Sequence, residues 1–104
     1  MKELPTLDDF QAFIKNNPKV IIDFTASWCG PCRVIAPIFE SHADKHHEIA
    51  FAKVDVDNND QAAALANVTA MPTIIAYHHG KEFSKIVGAN PAKLADLVNH
   101  LQSA

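Results

Sequence analysis

From Val20 to Ala26 the chain reads Val-Ile-Ile-Asp-Phe-Thr-Ala, apolar at nearly every position, with one aspartate in the middle. A run without polar alternation predicts a central strand covered by helices on both faces. Before it, Leu7, Phe10 and Ile14 fall on one helical face behind Thr6, a suitable N-cap, with acids in the first turn; Asn16-Asn17-Pro18 ends that helix. After it, Val34, Ile35, Ile38, Phe39 and Ala43 repeat at helical spacing and predict a helix over about 31–46, in which Pro37 removes one hydrogen bond and should bend the helix rather than end it. Residues 49–56 read as a second strand, and a short helix on alanines and Leu65 follows over about 59–67. Strand, helix, strand in this order implies a parallel pair with a right-handed crossover. Residues 73–77 and 82–87 flank His78-His79-Gly80-Lys81 and predict an antiparallel hairpin. Asn90-Pro91 then caps a last helix with Leu94, Leu97, Val98 and Leu101 in one stripe. The sum is an α/β fold, a mixed sheet between two layers of helices.

The 104 residues, 48% hydrophobic and 20% charged, have room for one domain, residues 1–104. Net charge is −3 with no run of Lys or Arg, which argues against a nucleic acid or an anionic membrane as partner. No apolar segment approaches the roughly 20 residues of a membrane helix. Two cysteines are too few for a secreted disulfide scaffold, and Met1-Lys2-Glu3-Leu4-Pro5 leads into acidic residues rather than an apolar signal segment. The expectation is a cytoplasmic or similarly reducing setting.

The chemistry concentrates in Trp28-Cys29-Gly30-Pro31-Cys32, where the central strand hands over to the second helix. Pro31 suits a first helical turn, so Cys29 lies at the helix N-terminus, where free amides and the positive end of the dipole stabilise a thiolate. Cys32 lies one turn further in. One thiol is thus expected to be exposed and poised, the other held behind it, which is the arrangement for thiol–disulfide exchange. A half zinc site would need further ligands, and the six histidines do not follow at finger-like spacing. A structural disulfide closing so short a loop would remove little chain entropy. Spacing and context favour redox chemistry over either alternative. The histidine pairs His46-His47 and His78-His79 read as surface groups at a helix end and a hairpin tip, with no functional metal.

Asp23 is the other unusual residue. A carboxyl in the middle of a covered strand is desolvated, so its pKa should rise. It is either a tolerated aspartate, salt-bridged to Lys53 on the neighbouring strand, or a proton acceptor for Cys32. For Trp28, partial exposure is expected rather than burial in the core.

With Asp23-Phe24, Trp28-Cys29-Gly30-Pro31-Cys32, Ala36-Pro37, Lys53-Val54-Asp55-Val56-Asp57, Met71-Pro72-Thr73 and Val87-Gly88-Ala89, the sequence resembles the thioredoxins over essentially its whole length. The resemblance implies a central mixed five-stranded sheet flanked by four helices. It implies protein-disulfide reduction in which Cys29 attacks, Cys32 resolves, and Asp23, with Lys53 as charged partner, handles the proton. It implies a cis bond before Pro72, a Met71 backbone open to an extended substrate, and a low-relief docking surface of Trp28, Gly30, Pro31, Val56, Met71, Pro72, Gly88 and Ala89. No bound cofactor is implied. Electrons come from NADPH through a thioredoxin reductase, and go to disulfide-containing proteins such as peroxiredoxins or ribonucleotide reductase; the protein itself is expected to be a monomer. Thr25 and Arg33 depart from an aromatic and a lysine common in the family, and Ala70 from a common glycine. Gly30-Pro31 between the cysteines, in place of the histidine typical of oxidase and isomerase relatives, argues for a reductant. A binding module that uses the apolar surface is the rival from another class.

Overall fold

The computed structural model describes all residues from Met1 to Ala104. Helix α1 spans Leu7–Asn16, strand β1 Lys19–Thr25, helix α2 Gly30–Lys45, strand β2 Ala50–Asp55, helix α3 Asp60–Leu65, strands β3 and β4 Thr73–His78 and Lys81–Val87, and helix α4 Pro91–Gln102. The sheet order is β2-β1-β3-β4, with β1 and β2 parallel and the other neighbours antiparallel.

Caps set the helix starts. Thr6 accepts from the Asp9 amide at 3.1 Å, Asn59 from the Ala62 amide at 3.2 Å, and Asn90 from the Lys93 amide at 3.0 Å. Each supplies an oxygen to an amide that has no partner within its helix. Helix α2 continues through Pro37 without ending.

The unalternating run of β1 is apolar toward two cores. Val20, Ile22 and Phe24 face one side, with Phe10, Ala62, Ala63, Ile75 and Tyr77 under α1 and α3. Ile21 faces the other, with Ile35, Phe39, Phe51, Ile74 and the Leu94, Leu97, Val98 and Leu101 stripe of α4. The period of two along a strand puts Asp23 and Thr25 on the Ile21 side, toward α2.

The sheet has four strands and not the expected five. The segment before α1 makes one parallel bridge, Glu3 to Lys53, with the Lys53 amide donating to Lys2 O at 2.9 Å and the Leu4 amide to Lys53 O at 3.0 Å. Pro5 has no N–H to extend that ladder and Thr6 is already committed to capping α1, so pairing stops after one rung. The hairpin loop is also shorter than the sequence suggests. His78 and Lys81 pair, leaving His79 and Gly80 as the connection, both at positive φ (51° and 81°). That is the backbone of a tight two-residue turn.

Candidate active site: the Cys29–Cys32 pair

Cys29 is the N-cap of α2, in extended conformation, with Pro31 in the first turn. Its Sγ accepts from the Cys32 amide at 3.2 Å, so the sulfur sits on the free donors of the helix start. The two cysteines are joined in a disulfide with Cα atoms 5.3 Å apart. Ala26 packs with them in a small apolar cluster, against which Val56 and Met71 are laid.

The expected exposure of Cys29 is not found. It is 4% exposed against 2% for Cys32. It is bonded to Cys32 within this apolar cluster, with Val56 and Met71 packed against it. No group of three or more His, Cys, Asp or Glu side chains is assembled for a metal, so the half-zinc reading finds no further ligands.

Three contacts fix the loop between β1 and α2. The Cys29 amide donates to Ala26 O at 3.2 Å, the Arg33 Nη1 to Ser27 O at 2.8 Å, and the Trp28 Nε1 to Asp57 Oδ2 at 2.9 Å. Trp28 is 64% exposed, as its expected partial exposure required. Sequence reasoning gave no role to Asp57 or Ser27. The signal for Asp57 was its place just after β2, where the Asp55 carboxylate accepts from the Asp57 amide at 2.9 Å and turns the chain back toward the site.

The Met71-Pro72 bond is cis. Pro72 is buried, and its carbonyl accepts from the Gly88 amide at 2.8 Å, which ties the loop before β3 to the end of β4. Gly88 takes φ 97°, a conformation that requires glycine. Neither the amide nor the carbonyl of Met71 has a hydrogen-bond partner within the chain. Gly30 and Pro31 open α2 beside the disulfide. Ala89 is set apart from this cluster, packed against the α2 and α4 core.

Asp23 is 3% exposed, and burial raises its pKa to about 7, with the Lys53 charge opposing the shift. The salt bridge of the tolerated-aspartate reading is absent. Lys53 is the register partner of Asp23 on β2, yet no ion pair forms between them, and Asp23 Oδ1 has no hydrogen-bond partner. The two residues share one face of adjacent parallel strands, and Lys53 is half-buried. His42, on the last turns of α2, is held below the usual histidine range by burial and by His46 and Lys45.

A strand-to-helix vicinal cysteine pair on this sheet defines a thiol–disulfide oxidoreductase. The thioredoxin family's sequence model matches residues 3–102. A thioredoxin of Coprinus comatus is 45% identical over 91% of this chain and 92% of its own length. A Plasmodium falciparum thioredoxin structure superposes with TM-score 0.94 at 36% identity, covering 96% of this chain and 98% of its own. A chain solved in work on thiol resolution in yeast mitochondrial 1-Cys peroxiredoxin via the glutathione/thioredoxin systems gives 0.93 at 37%, covering 97% and 95%. The chain belongs to the thioredoxin family. It is a protein-disulfide oxidoreductase working through the Cys29/Cys32 dithiol, without a bound cofactor, re-reduced by thioredoxin reductase at the expense of NADPH. No helix is long and apolar enough to cross a membrane.

Proposed function

We propose that Cys29 is the attacking thiolate, Cys32 the resolving thiol and Asp23 the acceptor of the Cys32 proton. The observation that carries this is the Cys29 sulfur at the N-cap of α2, accepting from the Cys32 amide. Dipole and amide donor both favour negative charge on that atom, so of the two thiols Cys29 ionises first. Its attack forms a mixed disulfide with the substrate. Cys32 then loses its proton to Asp23 and displaces the substrate as a thiolate, closing the Cys29–Cys32 bond. A carboxyl with a pKa of about 7 is matched to taking and returning a proton near neutral pH. Lys53 sets that value from the side: its charge limits how far burial raises it.

The substrate lies across Trp28, Gly30, Pro31, Val56, Met71, Pro72, Gly88 and Ala89. The unpaired amide and carbonyl of Met71 offer one antiparallel rung to an extended segment, which gives affinity without demanding a particular side chain. Such recognition suits many partners, and we read peroxiredoxins and ribonucleotide reductase as substrates, in the cytoplasm, with residues 1–104 acting as one monomeric domain. Replacing Cys32 with Ser tests the assignment. The variant should accumulate a mixed disulfide through Cys29, read by mass spectrometry of the trapped species. Trapping through Cys32 in the converse Cys29→Ser variant, with none in Cys32→Ser, would reverse the roles.

A further inference from the structure

We infer that the cleft beside Asp23 is the route by which its proton reaches solvent, and that Glu40 is the group that takes the proton at the mouth. The inference rests on the reading of Asp23 as proton acceptor. Asp23 Oδ1 is buried without a partner, while its neighbours in the sheet, Ile22, Phe24 and Ile74, are fully buried and apolar. A proton has no way out through them. On the α2 side, however, Asp23 lines a cleft of about 70 Å³ shared with Thr25, Lys53 and Glu40 and walled by Ala36 and Phe39. At ~30 Å³ per molecule, that is room for about two waters.

The placement follows from the elements. Asp23 and Thr25 are two apart on β1 and face the same way; Lys53 is in register with Asp23 on β2; Ala36 and Glu40 are four apart on α2 and share one face. Met1, at the edge of the cleft, comes from the segment bridged to Lys53. The charged side chains that line the cleft with Asp23 are Lys53 from β2 and Glu40 from α2. Lys53 acts on Asp23 as a positive charge rather than as a base, and the Thr25 hydroxyl can pass a proton but not keep one. Glu40 is the only other carboxylate of the cleft, exposed and engaged in no ion pair. After Cys32 has closed the disulfide, the proton left on Asp23 moves through water to Glu40 and on to solvent, and the Asp23 carboxylate is restored. Glu40 touches no reacting atom and acts through Asp23.

The test is Glu40→Gln in the full chain, following formation and resolution of the mixed disulfide with insulin in single turnover at low buffer concentration near neutral pH. Resolution should slow about threefold and recover when acetate is added, while wild type is insensitive to acetate and attack by Cys29 is unchanged in both. Resolution at the wild-type rate, or slowing that acetate does not rescue, overturns the inference. Asp23→Asn run in parallel separates the two readings. If it resolves at the wild-type rate, the role of Asp23 fails as well; if it is slow while Glu40→Gln is normal, only the outlet fails.

Discussion

The two ends of the β1–β3 pair are built on opposite terms. At the hairpin end, the His79 amide donates to Pro18 O at 2.8 Å, and two residues at positive φ close the turn. At the other end, Cys29 sits on open helix amides, Met71 leaves both backbone groups unpaired, and Asp23, two residues inside the strand, has an orphaned oxygen. The first end spends its polar groups on its own fold. The second withholds them, and each group withheld corresponds to something the reaction must hold: a thiolate, a substrate backbone, a proton.

If that contrast is right, substitutions at the open end should cost activity, and substitutions at the closed end only stability. The largest effect is expected at the sulfurs. Cys29→Ser should lower insulin disulfide reduction by at least about 10³-fold, because the remaining thiol, Cys32, is buried one turn inside α2 rather than at its N-cap; residual turnover within tenfold of wild type would refute the assignment. Asp23→Ala comes next. The folded pKa is about 7 against 3.8 for an ordinary aspartate, so the native state holds the extra proton between those values. Asp23 therefore favours folding below pH ~4, and its contribution falls as pH rises through about 7, leaving a buried carboxylate that costs on the order of 4 kcal/mol. Relative to wild type, Asp23→Ala should gain stability as pH rises from about 4 to about 7 and hold that gain above it, read by urea denaturation, while its reduction rate falls. A stability difference that does not move with pH would show that the carboxyl is not desolvated.

Two smaller effects separate conformation from contact. Gly88→Ala should destabilise by about 1 kcal/mol through its positive φ alone, since the added methyl would meet nothing within 4 Å. Gly30→Ala, with equally open surroundings but a helical backbone, should be neutral or stabilise by up to about 1 kcal/mol. Equal losses at both would point to hidden crowding. The smallest change belongs to the closed end: His79→Gly, relieving a φ of 51°, should raise stability by a few tenths of a kcal/mol and leave disulfide reduction untouched.

Much of this was legible in the chain because local rules and tertiary demands coincide. The doubly apolar run of β1, the Thr6 and Asn90 caps and the α4 stripe each specify their element from nearest neighbours. The cysteine pair was legible for the same reason, since its chemistry follows from a helix start. What was not legible depends on distant partners. Whether residues 2–4 form a strand is decided by Pro5 and by β2; whether the register partners Asp23 and Lys53 form an ion pair follows from no local pattern. The burial of Cys29 depends on Met71 and Val56, both brought in from far along the chain. The Trp28–Asp57 and Arg33–Ser27 contacts had no motif to announce them.

The most direct test is the titration of Cys29 in the reduced protein, from the pH dependence of its alkylation with sites assigned by mass spectrometry. A thiolate held by the start of α2 should titrate at least about one unit below the ~8.5 of ordinary cysteine, with Cys32 reacting far more slowly. A midpoint for Cys29 at or above that of ordinary cysteine, or Cys32 reacting first, would contradict the account.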